Sequence, residues 1–224
     1  MDKKLLKRMV QIFGMLALSM LLFFASAGNL KQERAWLFFA LYFVVLLMNS
    51  VLIITKHAAS IARRRSEIKK GTKTWDVLIT IVYSIASLGL FIAAGMDARA
   101  GIGMGGLFMI AAGTSMFFCG DGLVVWAMLA NEYFYTTARI DPKQKPATNG
   151  PYAMIRHPGY AGSILYITAM PLILGSINAL IVAIAIDLLI IVRTKLEDAM
   201  LVHELKSYGT YAKRVKYRLV PHVW

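Results

Sequence analysis

The sequence predicts an all-α, polytopic membrane helix bundle with about five to six transmembrane segments and both termini in the cytoplasm. Three observations predict it. The 224 residues are 58% hydrophobic and only 17% charged, with a mean hydropathy of +0.60, whereas a soluble domain would be about a quarter charged. The apolar residues are gathered into runs long enough to cross a bilayer. All but three of the 25 Lys and Arg residues fall at the termini or in alternate connections between those runs.

Six apolar segments follow in order, at residues 9–28, 35–55, 77–95, 103–130, 159–175 and 177–193. The first four reach the roughly 20 residues that a spanning helix requires. The last two are shorter and are joined only through Gly175-Ser176-Ile177. They read equally as two tight spans or as a helical hairpin that crosses part of the membrane. Either returns the chain to the side it left. The N-terminus, the 56–76 loop, the 131–158 loop and the C-terminal tail carry the basic residues, while Lys31, Arg34 and Arg99 alone lie on the other side. Positive charge stays in the cytoplasm, so both termini and the 131–158 loop are expected there. The basic start, the apolar stretch and Ala25-Ser26-Ala27 resemble a cleavable signal peptide; the later spans favour a retained first helix.

The composition also excludes classes. A formal charge of +13 would suggest nucleic acid in a soluble protein. Here it sits between apolar runs and reads as topology and contact with anionic membrane lipids, with no nucleic-acid partner. Cys119 is the one cysteine, so no intrachain disulfide forms, and no Cys/His spacing suits a metal. The absence of disulfides and glycosylation sequons fits a prokaryotic inner membrane better than the endoplasmic reticulum.

Several patterns look chemical and have plainer readings. Gly101-Ile-Gly103-Met-Gly105-Gly106 matches a dinucleotide fingerprint but lacks the preceding strand the motif needs; close packing by small residues is the better reading. Arg63-Arg64-Arg65 with Lys69 and Lys70 reads as an orientation signal on anionic headgroups. Asp121 and Asp187 lie inside apolar runs. Intramembrane acids suggest function, and each could instead hydrogen-bond across helices. The aromatic Asn131-Glu132-Tyr133-Phe134-Tyr135 fits either an interfacial belt or a cavity lining.

The densest polar chemistry lies between the fourth and fifth apolar runs and just after the sixth. In Arg156-His157-Pro158-Gly159-Tyr160, Pro158 suits the first turn of a helix. His157 then stands at its N-cap, beside free N–H groups that attract an anion. Arg193 and Glu197 are four apart and share a helical face. They form either a surface ion pair or a guanidinium and a carboxylate at the mouth of the bundle.

GPYAMIRHPGY, the Pro-Leu-Ile-Leu-Gly-Ser turn at 171–176, RTKLEDAML at 193–201 and YGTYAKRVKYRLVP at 208–221 together resemble the isoprenylcysteine carboxyl methyltransferase family and the related phospholipid N-methyltransferases. The resemblance covers roughly residues 131–224 and implies two regions: N-terminal transmembrane helices at 1–130, and a catalytic region at 131–224. It implies methyl transfer from S-adenosylmethionine to a carboxylate of a lipidated, prenylcysteine-like or lipid substrate at the cytoplasmic face. It also implies that Tyr152, His157, Pro158, Gly159, Tyr160 and Glu197 line the cofactor site, with Gln144, Lys145, Pro146 and Ala147 contributing from the preceding loop, and that Arg193 faces the substrate carboxylate. The chain departs from relatives in that loop, where Gln144 and Lys145 stand in place of a common His, and in Glu197-Asp198, which replaces a Glu-Glu pair.

This reading is physically coherent. A carboxylate nucleophile is ionised at neutral pH and needs no general base. Alignment and exclusion of water then supply catalysis, an Arg fork holds an oxyanion, and aromatic faces suit a sulfonium. Two other classes compete. An NADPH-dependent membrane lipid or sterol reductase shares an R-H-P-x-Y loop and a similar tail. A non-catalytic transporter would rest on Asp121 and Asp187, but paired halves with broken helices are missing from the sequence.

Overall fold

In the computed structural model, residues 3–56 and 71–224 are described; the cluster Arg63–Arg65, Lys69 and Lys70 lies outside them. Among the described residues every regular element is helical: α1 (Lys3–Ala27), α2 (Glu33–Lys56), α3 (Thr74–Ala100), α4 (Leu107–Ala130), a 3-10 turn (Gly150–Ala153), α5 (Pro158–Leu174), α6 (Ile177–Glu204) and α7 (Tyr208–Arg214). Five of these helices, all but α5 and α7, are long and apolar enough to cross a membrane. The polytopic all-α bundle expected from the sequence is what forms. Large apolar side chains such as Leu21, Leu47, Ile85 and Leu188 point outward, as a bilayer-facing surface requires.

The last two apolar runs form an antiparallel helical hairpin. At 17 residues, α5 is about 26 Å long, a little short of the roughly 30 Å hydrocarbon core. Its partner α6 is longer, at 28 residues, because it continues past the apolar stretch and carries Arg193, Glu197 and Asp198 on its polar end. Helices α4 and α5 approach closely through glycine. A Cβ at Gly120 would meet the Tyr166 amide nitrogen at 2.6 Å, and one at Gly162 would meet the Gly120 carbonyl at 2.6 Å. This is the seam of small residues that membrane helices favour. It lies here and at Gly113, against Ile173, and within Gly101–Gly106 it includes Gly103, where a Cβ would meet the Gly175 carbonyl at 3.0 Å. That segment is the connection between α3 and α4: Gly101 and Gly106 have φ of +67° and +98°, and α4 begins only at Leu107. The close packing expected of Gly101–Gly106 is thus met at Gly103, while Gly101 and Gly106 turn the chain, because positive φ ends a helix.

An aromatic cluster fills the bundle. Phe38, Phe39, Phe91 and Phe117 are all buried, and Phe117 stacks on Tyr166 at 4.5 Å between ring centroids. The two intramembrane acids follow their plainer reading. Asn49 donates to Asp121 at 2.8 Å and Thr168 donates to Asp187 at 2.6 Å, so each acid ties two helices together.

Candidate functional site

At the end of the bundle where α6 emerges, the 131–157 loop and the tail close over a cavity of about 350 Å³. Its walls come from α3, α4, α5 and α6, the 131–149 loop, the 3-10 turn and α7. Of the residues expected at the site, Arg193, Gln144, Lys145, Pro146, Ala147, Tyr152, His157, Gly159, Tyr160 and Glu197 all line it. Pro158 is the exception. It is fully buried in the first turn of α5, so its part is to start the helix.

The loop is held by one carboxylate. Asp198 is 2% exposed and accepts from four side chains. Arg156 grips it bidentately, Nε to Oδ1 and Nη2 to Oδ2, both at 2.8 Å. Arg218 Nε donates to Oδ2 at 2.8 Å and the Tyr208 hydroxyl to Oδ1 at 3.0 Å. His157 Nε2 lies 3.2 Å from Oδ1, so the ring carries its proton on that nitrogen. The backbone reinforces this latch: the Arg156 and His157 amides donate to the Tyr217 and Arg218 carbonyls, both at 2.9 Å. Arg156 Nη1 also reaches the carbonyls of Val215 and Lys216 at 3.0 and 3.1 Å. His157 does occupy the N-cap position of α5, but its side chain makes no cap bond. It turns to Asp198 and stacks on Tyr160, with 5.8 Å between centroids. These contacts fix the ring against the tail while the residue still borders the cavity.

Helix geometry separates the two neighbouring acids on α6. Successive residues lie about 100° apart around a helix, so Asp198 faces the packed tail while Glu197 faces the cavity. The Tyr160 hydroxyl donates to Glu197. Arg193 lines the cavity one turn away, yet it does not pair with Glu197. Its Nε donates to Asp76 Oδ1 at 2.8 Å and its Nη2 to the Thr136 carbonyl at 2.8 Å. The guanidinium also stands 5.4 Å from the centre of the Tyr160 ring. Of the two readings left open by the spacing, the surface ion pair does not form, and Arg193 has two separate attachments instead.

Other walls complete the chamber. Tyr211 donates to the Tyr152 carbonyl at 2.8 Å, which ties the tail to the Gly-Pro-Tyr turn. Burial raises the Tyr208 and Tyr211 phenols above their ordinary range, and the Asp198 charge adds to the effect at Tyr208. Both remain neutral donors. Gln144 closes its own turn, accepting from the Asp141 amide at 3.1 Å. Gly159 leaves room for the Phe134 ring, which a Cβ would meet at 2.7 Å. Arg139 lies 3.8 Å over the Tyr135 ring, and both line the cavity.

Sequence reasoning missed Asp76, a fully buried acid at the start of α3, together with the cavity walls Thr80, Tyr83 and Ser84. The one signal for Asp76 was an acid in the first turn of an apolar helix, which reads as ordinary dipole compensation. Tyr208 and Tyr211 stood inside a recognised tail motif without an assigned role.

Residues 108–210 match a family model described as phospholipid methyltransferase. No curated protein matches the chain. Among solved structures, the chain is similar to a eukaryotic intramembrane Ras methyltransferase, isoprenylcysteine carboxyl methyltransferase. The two are 17% identical with a TM-score of 0.62, and the match covers 93% of this chain and 74% of that one. The family model thus covers residues 108–210, and the likeness of fold extends over nearly the whole chain.

Proposed function

We propose that the protein transfers a methyl group from S-adenosylmethionine to an oxyanion-bearing lipid or prenylated acceptor, a carboxylate being favoured as the methylated group, at the cytoplasmic face of a prokaryotic inner membrane. The observation that carries this reading is the convergence, on one cavity, of a carboxylate on an aromatic hydroxyl (Glu197 with Tyr160) and a guanidinium (Arg193) one helical turn away. The residues suit the cofactor. A carboxylate on the Tyr160 hydroxyl, in a cavity also walled by Tyr208 and Tyr211, is a fitting environment for a cation. Gln144, Lys145, Pro146, Ala147, Tyr152, His157 and Gly159 supply the remaining polar and backbone surface.

Bound there, S-adenosylmethionine would supply an electrophilic methyl on a sulfonium. The chain's own part is binding and alignment. Glu197 holds a cationic or polar part of the cofactor, and Arg193 orients the acceptor's oxyanion. The latch on Asp198 keeps the tail over the chamber and water out of it. No residue has to remove a proton from a carboxylate acceptor; alignment within a dry chamber carries the rate. In this reading residues 131–224 form the catalytic region, with α3 of the 1–130 region contributing a wall.

Calorimetry on detergent-purified protein, titrating S-adenosylhomocysteine and NADPH side by side, tests the proposal. Binding of the former, weakened in Glu197→Ala, supports it. Binding of NADPH alone would replace it with the reductase reading.

A further inference from the structure

Asp76 is fully buried, three residues into a helix that the family match does not reach. Its two carboxylate oxygens serve two different elements. Oδ2 accepts from the Ala138 amide at 2.7 Å, and Oδ1 from Arg193 Nε at 2.8 Å. A second strand of contact runs beside it, from the Lys73 amide to the Ala138 carbonyl at 3.2 Å. The carboxylate therefore joins the start of α3, the cavity loop and the cavity guanidinium in one place. A buried carboxylate is stable only when paired and hydrogen-bonded, and here both conditions are met by groups of the chamber wall.

This arrangement selects which part of Arg193 is offered to a ligand. A guanidinium presents a side-on edge, Nε with Nη2, and an end-on edge, Nη1 with Nη2. Asp76 and the Thr136 carbonyl take a contact from each nitrogen of the side-on edge. Nη1, which neither contact takes, is left for the cavity, with Nη2 shared between the two edges. The Asp76 charge also balances Arg193, so the chamber wall does not hold a lone cation.

We propose that Asp76 is a positioning residue for the acceptor: it acts through Arg193, turning the guanidinium's end-on edge toward an oxyanion of the acceptor. The inference rests on the methyltransferase reading. The shared chemistry is an oxyanion on an apolar tail, which a prenylcysteine carboxylate and a phospholipid phosphodiester both provide.

The test is binding to S-adenosylhomocysteine-saturated protein of two probes, N-acetyl-S-farnesylcysteine and phosphatidylethanolamine vesicles. The proteins compared are the wild type, Asp76→Asn, Arg193→Ala and the double variant. Asparagine keeps the size of the side chain but has one acceptor oxygen for two donors and no charge. Asp76→Asn is expected to lose at least tenfold in affinity for the probe that binds, while S-adenosylhomocysteine affinity stays within twofold. The double variant is expected to bind no more weakly than Arg193→Ala alone. Additive losses, unchanged probe affinity in Asp76→Asn, or a wild type that takes S-adenosylhomocysteine but neither probe would each overturn the proposal. A parallel fall in cofactor and probe affinity would do the same, because it would mark a structural role only. Failure of the wild type to bind S-adenosylhomocysteine is a separate result. It would refute the methyltransferase reading and, with it, the acceptor role of this corner.

Discussion

The two ends of the α5–α6 hairpin are both held by buried or half-buried charge, but the charge is used differently. At the turn, Arg34 from α2 donates to the carbonyls of Ile173, Leu172 and Met104 at 2.9, 3.0 and 2.5 Å. Asp97 from α3 accepts from the Ser176 hydroxyl, the Asn178 amide and the Asn178 side chain at 2.6, 2.9 and 2.6 Å. The cation sits at the C-terminus of α5 and the anion at the N-terminus of α6, as the helix dipoles favour. Almost every contact goes to backbone or to a capping side chain, and none of these residues lines the chamber at the other end. At the other end, Asp198 and Asp76 bind side chains from several elements, while Glu197 and one edge of Arg193 still face a chamber. A buried charge by itself therefore marks a joint. A site appears where a joint leaves part of a neighbouring charged group unspent beside open volume.

The largest break in this comparison is expected from Asp198→Ala. It strips the partner from Arg156, Arg218 and His157 together, and losing one side of a buried pair costs about 3–5 kcal/mol. Thermal unfolding in detergent should show a marked drop in Tm, with S-adenosylhomocysteine binding lost because the tail no longer covers the chamber. If Tm were unchanged, the latch would not be holding the tail.

Arg34→Ala should separate stability from function. It leaves the Ile173, Leu172 and Met104 carbonyls without their donor, at about 1–3 kcal/mol. Tm should fall while S-adenosylhomocysteine affinity, measured below the transition, stays within about twofold. Glu197→Gln is expected to do the reverse. It removes a charge but keeps an acceptor for Tyr160, so Tm should hold while cofactor affinity drops about tenfold, a change of about 1.4 kcal/mol. If the two variants behaved alike, the distinction between the joint at the turn and the site at the chamber would collapse.

Much of this was readable in the sequence because it is local. Apolar length gave the spans, and Pro158 after Arg156-His157 gave the start of α5. The motifs of the loop and tail gave all but one of the expected cavity residues a place on its wall. What was not readable is pairing at a distance. Arg193 finds Asp76 across 117 residues and Arg156 finds Asp198 across 42. Neither partner follows from periodicity, which offered Arg193 only Glu197 on its own helix face. Arg34 and Asp97 were invisible for the same reason: Arg34 counted only toward topology and Asp97 carried no signal, because their partners lie on other helices. Spacing shows which residues share a helix face but not which helix packs there.

The smallest effect should come from Asp187→Asn, and it sharpens the comparison from inside the membrane. Asp187 is on α6 between the two ends, accepts from Thr168 of α5 and does not line the cavity. Asparagine keeps a carbonyl oxygen for the Thr168 hydroxyl, so the interhelical bond survives. Such bonds within membranes are worth about 0.6 kcal/mol on average, which bounds the change even if the geometry is imperfect. S-adenosylhomocysteine affinity should stay within about twofold and Tm should barely move. A large loss of cofactor affinity from this substitution would mean that the middle of the hairpin senses the chamber. An intramembrane carboxylate two turns below the site would then have to be counted as part of it.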